Sequence, residues 1–258
     1  MIHSTVIGRG PINVVFLHGI FGQGKNFTDI ANSLSDIASC RLVDLPNHGR
    51  SSWSEFTFDS MVDQVTAHLI DYGALSTPLH LIGHSLGGKV AMKLALSYPR
   101  LIEKLIVEDI APAGTNAAKV FAPWVKAMLE LNLEQLQSRR EADRLLKPFI
   151  PEDRVRLFLL TNLHWEDHSW SWRANLEEIA RHIDVVGSWP NPETKPFERP
   201  VLWIAGGDSP YIRDEHQENM TALFPNTELV TIEGAGHWVH ADQPREFSRV
   251  VREFLLKR

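Results

Sequence analysis

The segment Gly83-His84-Ser85-Leu86-Gly87, with Gly88 after it, sets one hydroxyl between two residues that have no side chains. It follows an apolar run at 79–82 and opens a helical pattern that Pro99 ends, so a strand, a tight turn and a helix are expected in that order. A serine on such a turn has a strained backbone and presents its Oγ above a sheet edge. Side chains at 83 or 87 would collide with neighbouring backbone. The helix N-terminus then favours negative charge developing at Ser85. A purely structural Gly-rich turn is the alternative, and the strand–turn–helix context speaks against it.

A serine hydroxyl is a weak nucleophile and needs a base. Of twelve histidines, His237 follows the last strand pattern through Glu233-Gly234-Ala235-Gly236 and precedes the final helix, which places the base last in the chain. His240 is expected to make a structural hydrogen bond, His84 to point away from Ser85, and His18 and His48 to belong to turns. A tetrahedral oxyanion needs two backbone donors. The N–H of Leu86 is one; the N–H of Ile20, in His18-Gly19-Ile20-Phe21-Gly22, is the expected second, ahead of Phe21.

A carboxylate must orient the base, and two are in position. Asp109 ends the apolar run 104–108. Asp208 lies in Gly206-Gly207-Asp208-Ser209, one residue before the familiar place for such an acid, which Ser209 occupies. Asp109 is the preferred acid and Asp208 the alternative, with Ser209 adding a hydrogen bond to the base.

These groups need a frame. Short runs rich in Val, Ile and Leu recur at 12–17, 40–45, 79–83, 104–108, 201–205 and 229–232. Continuous apolarity suits parallel strands covered on both faces. Helical patterns alternate with them, so a mostly parallel, doubly wound α/β sheet is expected. The alternation breaks at 112–199, which reads as helical throughout, with helices at 121–131, 133–146, 152–163 and 174–183. This stretch is expected to be a cap over the ligand-binding edge of a core formed by 1–111 and 200–258. Its aromatic residues, with Phe56-Thr57-Phe58, suggest an apolar acyl site.

Other signals carry less. His164 and His168 are spaced i, i+4, but no third ligand suggests itself, and a cap helix without metal is expected. Twenty-six Lys and Arg against 32 Asp and Glu give a net charge of −6, which offers no reason to expect nucleic acid or an anionic membrane. Cys40 is the lone cysteine, no secretory leader is visible, and no apolar run approaches the ~20 residues that span a bilayer. A cytoplasmic protein of unspecified oligomeric state is expected.

On these motifs, together with Asp44-Leu45-Pro46-Asn47-His48-Gly49-Arg50-Ser51 and Gly234-Ala235-Gly236-His237-Trp238-Val239-His240, the chain resembles the α/β-hydrolase superfamily over nearly its whole length, and closely the bacterial YbfF-type esterases. The resemblance implies hydrolysis of short-acyl esters or thioesters without a cofactor, with an acid matching Asp109 and a serine matching Ser209. It departs at Asp208, where related proteins tend to carry Asn. The same residues could serve a perhydrolase, a carbon–carbon bond hydrolase or an acyl-carrier methyl esterase. A ligand-binding receptor that keeps a hydrolase pocket is the rival from another class.

Overall fold

The computed structural model describes residues 1–190 and 195–257. Its strands are β1 (Ser4–Ile7), β2 (Ile12–Leu17), β3 (Ala38–Val43), β4 (Leu79–His84), β5 (Ile102–Glu108), β6 (Leu163–Glu166), β7 (Ser169–Trp172), β8 (Val201–Gly206) and β9 (Thr227–Ile232). The α-helices are α1 (Thr28–Ser33), α2 (Phe58–Asp71), α3 (Leu86–Ser97), α4 (Ala117–Leu129), α5 (Arg139–Leu146), α6 (Asp153–Leu160), α7 (Leu176–Arg181), α8 (Ile183–Gly187), α9 (Gln217–Leu223), α10 (Val239–Asp242) and α11 (Pro244–Leu256). Seven strands form one sheet in the order β1-β3-β2-β4-β5-β8-β9. All its pairings are parallel except β1 with β3. The doubly wound α/β architecture is therefore as the sequence pattern implied.

Two apolar clusters cover the sheet. Phe16, Ile82, Ile106 and Leu202 meet α1 and α11 on one face, and α11 buries the stripe Phe247, Val250, Val251, Phe254 and Leu255. Leu81, Leu105, Val107 and Trp203 meet α2 and α3 on the other, and this cluster continues into the insertion between β5 and β8. Helix α3 is buried on nearly all sides, as expected for the helix behind a central strand.

The sheet edges explain the misplaced strand ends. Strand β1 has exposed Thr5 and Val6 and showed no apolar run; β9 is only partly covered, so its start was too polar to read. Strand β3 begins and ends two residues earlier than its apolar pattern.

The insertion is not helical throughout. Strands β6 and β7 form an antiparallel hairpin in which Trp165 lies opposite Trp170. Asp167 and His168 have φ of 49° and 62°, the two-residue turn whose twist suits a hairpin. His164 and His168 are thus not on one helix face, and the cap helix expected there does not exist. The helix read at 133–146 starts only at Arg139, because Ser138 caps it by accepting the Glu141 N–H at 3.1 Å. Those read at 152–163 and 174–183 shorten to α6 and α7, and α8 follows separately.

The insertion is tied to loops at the carboxyl ends of the strands. Gln23 Nε2 donates to Asn162 Oδ1 at 3.3 Å, and Asn162 Nδ2 donates to the Phe21 carbonyl at 2.7 Å. Asn175 donates to Asn47 Oδ1 at 3.0 Å. Lys89, buried on α3, donates to the Val186 and Ser188 carbonyls at 3.2 and 2.6 Å. Burial pushes its ammonium down to about 8.

The turn at Ser85 leaves no room beside it. A Cβ on Gly83 would lie 2.3 Å from the Gly87 carbonyl oxygen, and one on Gly87 would lie 2.3 Å from that of Leu17. Backbone cannot retreat as a side chain can. Gly87→Ala should therefore cost about 2–3 kcal/mol in urea unfolding, while Gly114→Ala, at an ordinary-contact site, should stay within about 0.5 kcal/mol. Equal effects would contradict this account.

Candidate active site

Ser85 links the end of β4 to the start of α3 with φ 51° and ψ −115°. That conformation costs a non-glycine residue energy and persists only when its surroundings fix it. Here the Ser85 N–H donates to the Glu108 carbonyl at 3.1 Å, and its carbonyl accepts from the Lys89 N–H at 3.0 Å. Ser85 and His237 border one small chamber, walled by Phe121, Trp124, Phe158 and Trp238. Phe56 and Phe58 are not on that wall. Phe56 is packed in the core beside His48 and Thr57 caps α2, so they do not form the acyl site expected from them.

Asp109, not Asp208, meets His237. Their separation in sequence is 128 residues, and the imidazole Nδ1–H donates to Asp109 Oδ2 at 2.7 Å. The Gly206 N–H donates to Asp109 Oδ1 at 3.0 Å, and the Ser209 hydroxyl donates to Oδ2. Ser209 thus bonds Asp109, whereas its expected bond was to His237. Asp109 is fully buried, with φ of 49°, and its N–H donates to the Ile204 carbonyl at 2.8 Å. Asp208 has an exposed side chain, and its own N–H is bound to the Ala235 carbonyl at 2.9 Å. Its backbone faces the β9 loop, so the carboxylate points outward.

The two expected oxyanion donors border the same turn. Leu86 is the first residue of α3, where an N–H has no acceptor within the helix. The Phe21 N–H is already given to His48 Nε2 at 3.1 Å, which leaves Ile20 the freer of the two. Two neutral histidines hold this loop. His48 Nδ1–H donates to the Pro46 carbonyl at 3.0 Å; His18 Nδ1–H donates to that of Gly19 at 2.8 Å while Nε2 accepts the Leu45 N–H at 3.0 Å. A protonated ring could not accept at Nε2. Burial pushes His18 down to about 4 and His48 down to about 3.

Three partners of the site were not found by sequence reasoning. Tyr211 stacks on His237 with ring centroids 4.2 Å apart. Glu108 Oε1 accepts both the backbone N–H and Nδ1–H of His240, at 2.9 and 2.7 Å. Burial alone would raise the Glu108 carboxyl, but His240, through its charge and its two hydrogen bonds, outweighs it and the net direction is down. His84 Nε2–H donates to the His237 carbonyl at 2.9 Å, and burial pushes its ring down to about 3. The structural hydrogen bond expected of His240 is therefore to Glu108. A carboxylate ending an apolar strand needs a buried partner, and that was the available signal for Glu108. Tyr211 gave none. Among the described residues no group of three or more His, Cys, Asp or Glu side chains could hold a metal ion.

The neutral histidines set a pH dependence. Unfolded histidines bind protons below about 6.5, whereas folded His18, His48 and His84 resist protonation down to about 3–4. The unfolded state then binds more protons, so stability falls as pH drops. Each should cost about 1.4 kcal/mol per pH unit across that window. Urea midpoints should decline steadily from pH 6.5 to 4.5; a flat profile would show that these rings are charged when folded.

The model of the Alpha/beta hydrolase family matches residues 14–250. The chain is 39% identical to the sn-1-specific diacylglycerol lipase ABHD11 of Danio rerio over 256 residues, covering 96% of this chain and 80% of that one. It is 30% identical to Esterase YbfF of Escherichia coli over 251 residues, covering 94% and 92%. A solved structure described as a marine microorganism esterase superposes with a TM-score of 0.94 at 32% identity, covering 98% of both chains. With the Ser85 turn, the sheet order and these likenesses together, the chain belongs to the alpha/beta hydrolase family.

Proposed function

We propose that this protein is a serine ester hydrolase that acts on short-acyl esters or thioesters through an acyl-enzyme. The observation that carries the reading is that Ser85 and His237 border one chamber while the buried Asp109, from a third strand end, holds His237 from behind. Relatives named esterase and diacylglycerol lipase support it. Residues 112–199 act as a cap over the core formed by 1–111 and 200–258, and the aromatic walls from α4 and α6 supply the acyl site.

The chemistry follows from the placement of the groups. His237 Nε2 takes the Ser85 proton as Oγ attacks the ester carbonyl. Asp109 holds the imidazole through Nδ1–H and stabilises the imidazolium; Ser209 and Gly206 fix the carboxylate in turn. The oxyanion accepts from the N–H groups of Ile20 and Leu86. His237 then protonates the departing alkoxide or thiolate, and in the second half activates water against the acyl-enzyme. Every step uses this chain's own groups.

The lipase names of the relatives favour a second reading, longer acyl chains. The small aromatic chamber at Ser85 favours short ones. Hydrolysis of p-nitrophenyl esters from acetyl to dodecanoyl separates the two. The expected maximum lies at the short end, and Ser85→Ala should lower kcat at least about 10^3-fold. A maximum at dodecanoyl would favour the lipase reading, and equal rates for the two proteins would refute the serine mechanism.

The acid has its own test. Asp109→Asn should cut kcat about 10^3- to 10^4-fold, because the wrong imidazole tautomer is then held, while Asp208→Asn should cost less than about tenfold. The reverse order would reassign the acid.

A further inference from the structure

A chain with a net charge of −6 brings four of its 26 Lys and Arg residues to one seam. The seam joins the insertion to the loops after β2 and β3. Both oxygens of the Asp44 carboxylate are spent on backbone, accepting the Gly24 N–H at 2.7 Å and the Arg50 N–H at 2.9 Å, and this sets Lys25 and Arg50 side by side. Gln23 binds Asn162, and Asn175 binds Asn47, so the hairpin is drawn against the same two loops. Arg173 follows Trp172, which lies opposite Leu163, and its N–H donates to the Asn162 carbonyl at 2.8 Å. Arg139 Nη2 donates to the Leu163 carbonyl at 2.5 Å. Arg173, Arg139 and Arg50 are all near enough to Lys25 to repel it, and Arg173, Lys25 and Arg139 near enough to act on His164.

They are poorly compensated. Asp44 is committed to backbone N–H groups, and Glu166 is the other carboxylate facing Arg173 and His164. Lys25 and Arg50 are exposed, Arg173 is half-buried, and none of the three has a carboxylate within ion-pair distance among the described residues. Burial and then repulsion from Arg173 hold the Lys25 ammonium below its usual range, and burial and then Arg50 do the same to Arg173. Like charges held together without partners cost stability. Some cations elsewhere are compensated: Arg249 pairs with Glu246 and Glu253, and Arg252 with Asp36.

We infer that the seam formed by Lys25, Arg50, Arg139 and Arg173 is a binding site for a phosphate-bearing group. Two guanidinium forks suit tetrahedral oxyanions, which they can hold bidentately, and a dianion would relieve the repulsion. One sequence neighbour of the seam reaches the chambers by Ser85. Asn26, next to Lys25, lines a second chamber that shares Gly19, His84, Phe158 and Trp238 with the one at Ser85. A phosphate at the seam can thus belong to the alcohol or thiol half of an ester whose carbonyl lies at Ser85, or to a free phosphorylated compound.

The binding test needs no turnover, so it stands apart from the ester-hydrolase reading. Inorganic pyrophosphate is titrated into the full chain by calorimetry at low ionic strength. Binding is expected, weakened at least about tenfold by Lys25→Gln with Arg173→Gln and again by Arg50→Gln alone. Lys126→Gln with Arg249→Gln, which removes the same charge elsewhere, should leave it unchanged. Thermal unfolding of the seam variant should match or exceed wild type, since repulsion is relieved. No binding to wild type, or equal weakening by the control pair, would overturn the site. Turnover then identifies the source. If kcat/KM for 2-(butyryloxy)ethyl phosphate exceeds that for ethyl butyrate about tenfold and the gap closes in the seam variant, the phosphate rides on the substrate. Equal values beside intact pyrophosphate binding assign the site to a free phosphorylated compound.

Discussion

The close approach of backbone to backbone around Ser85 is the constraint from which the site is built. Gly87 lies so near the Leu17 and His18 carbonyls, and Gly83 so near Gly87, that a methyl group at either position would meet carbonyl oxygen at 2.3 Å. This contact draws α3 onto the ends of β2 and β4. It also holds Ser85 at φ 51° and brings the Ile20 loop beside the Leu86 N–H. The Ser85 hydroxyl and the N–H groups of Ile20 and Leu86 are therefore positioned by one structural feature. Loosening the turn would displace both.

Around this turn the protein buries polar groups and satisfies them one by one. Asp109 receives three donors from β8, its following loop and the His237 loop. Glu108, its neighbour, receives two from His240. Two carboxylate–histidine pairs thus leave the end of β5 side by side, one bordering the chamber and one buried beneath it. His84 connects them: its ring lies 4.7 Å from that of His237 and 5.2 Å from that of His240. Because burial keeps His84 neutral, it can steady the His237 loop without adding a competing charge.

The insertion is held by hydrogen bonds more than by ion pairs. Lys89 ties the helix that follows Ser85 to two carbonyls at the end of α8, and Gln23 and Asn162 tie the loop that holds Ile20 to the end of α6. A shift of the insertion would thus be felt at both halves of the site. The uncompensated cations lie on this seam, where a bound anion would fasten insertion and core together.

What the sequence determined by itself was whatever is encoded locally. Gly83 and Gly87 specify a close-packed turn around Ser85 because a side chain at either would strike backbone. Buried parallel strands are continuous in apolarity, and α11 carries its stripe every three to four residues. Residue identity also narrowed the acid to Asp109 and Asp208. It went astray where local signals were weak: exposed edge strands, and a hairpin whose Trp, His and acidic residues read as a helix. The tertiary structure alone decided the rest. Sheet order sets β5 beside β8, so Asp109 reaches His237 while the Asp208 backbone turns its carboxylate outward. Tyr211 against His237, His240 on Glu108 and Lys25 beside Arg173 are likewise meetings of distant segments. No short-range periodicity records them, because side-chain encounters across a sheet depend on which strands are neighbours and in what register.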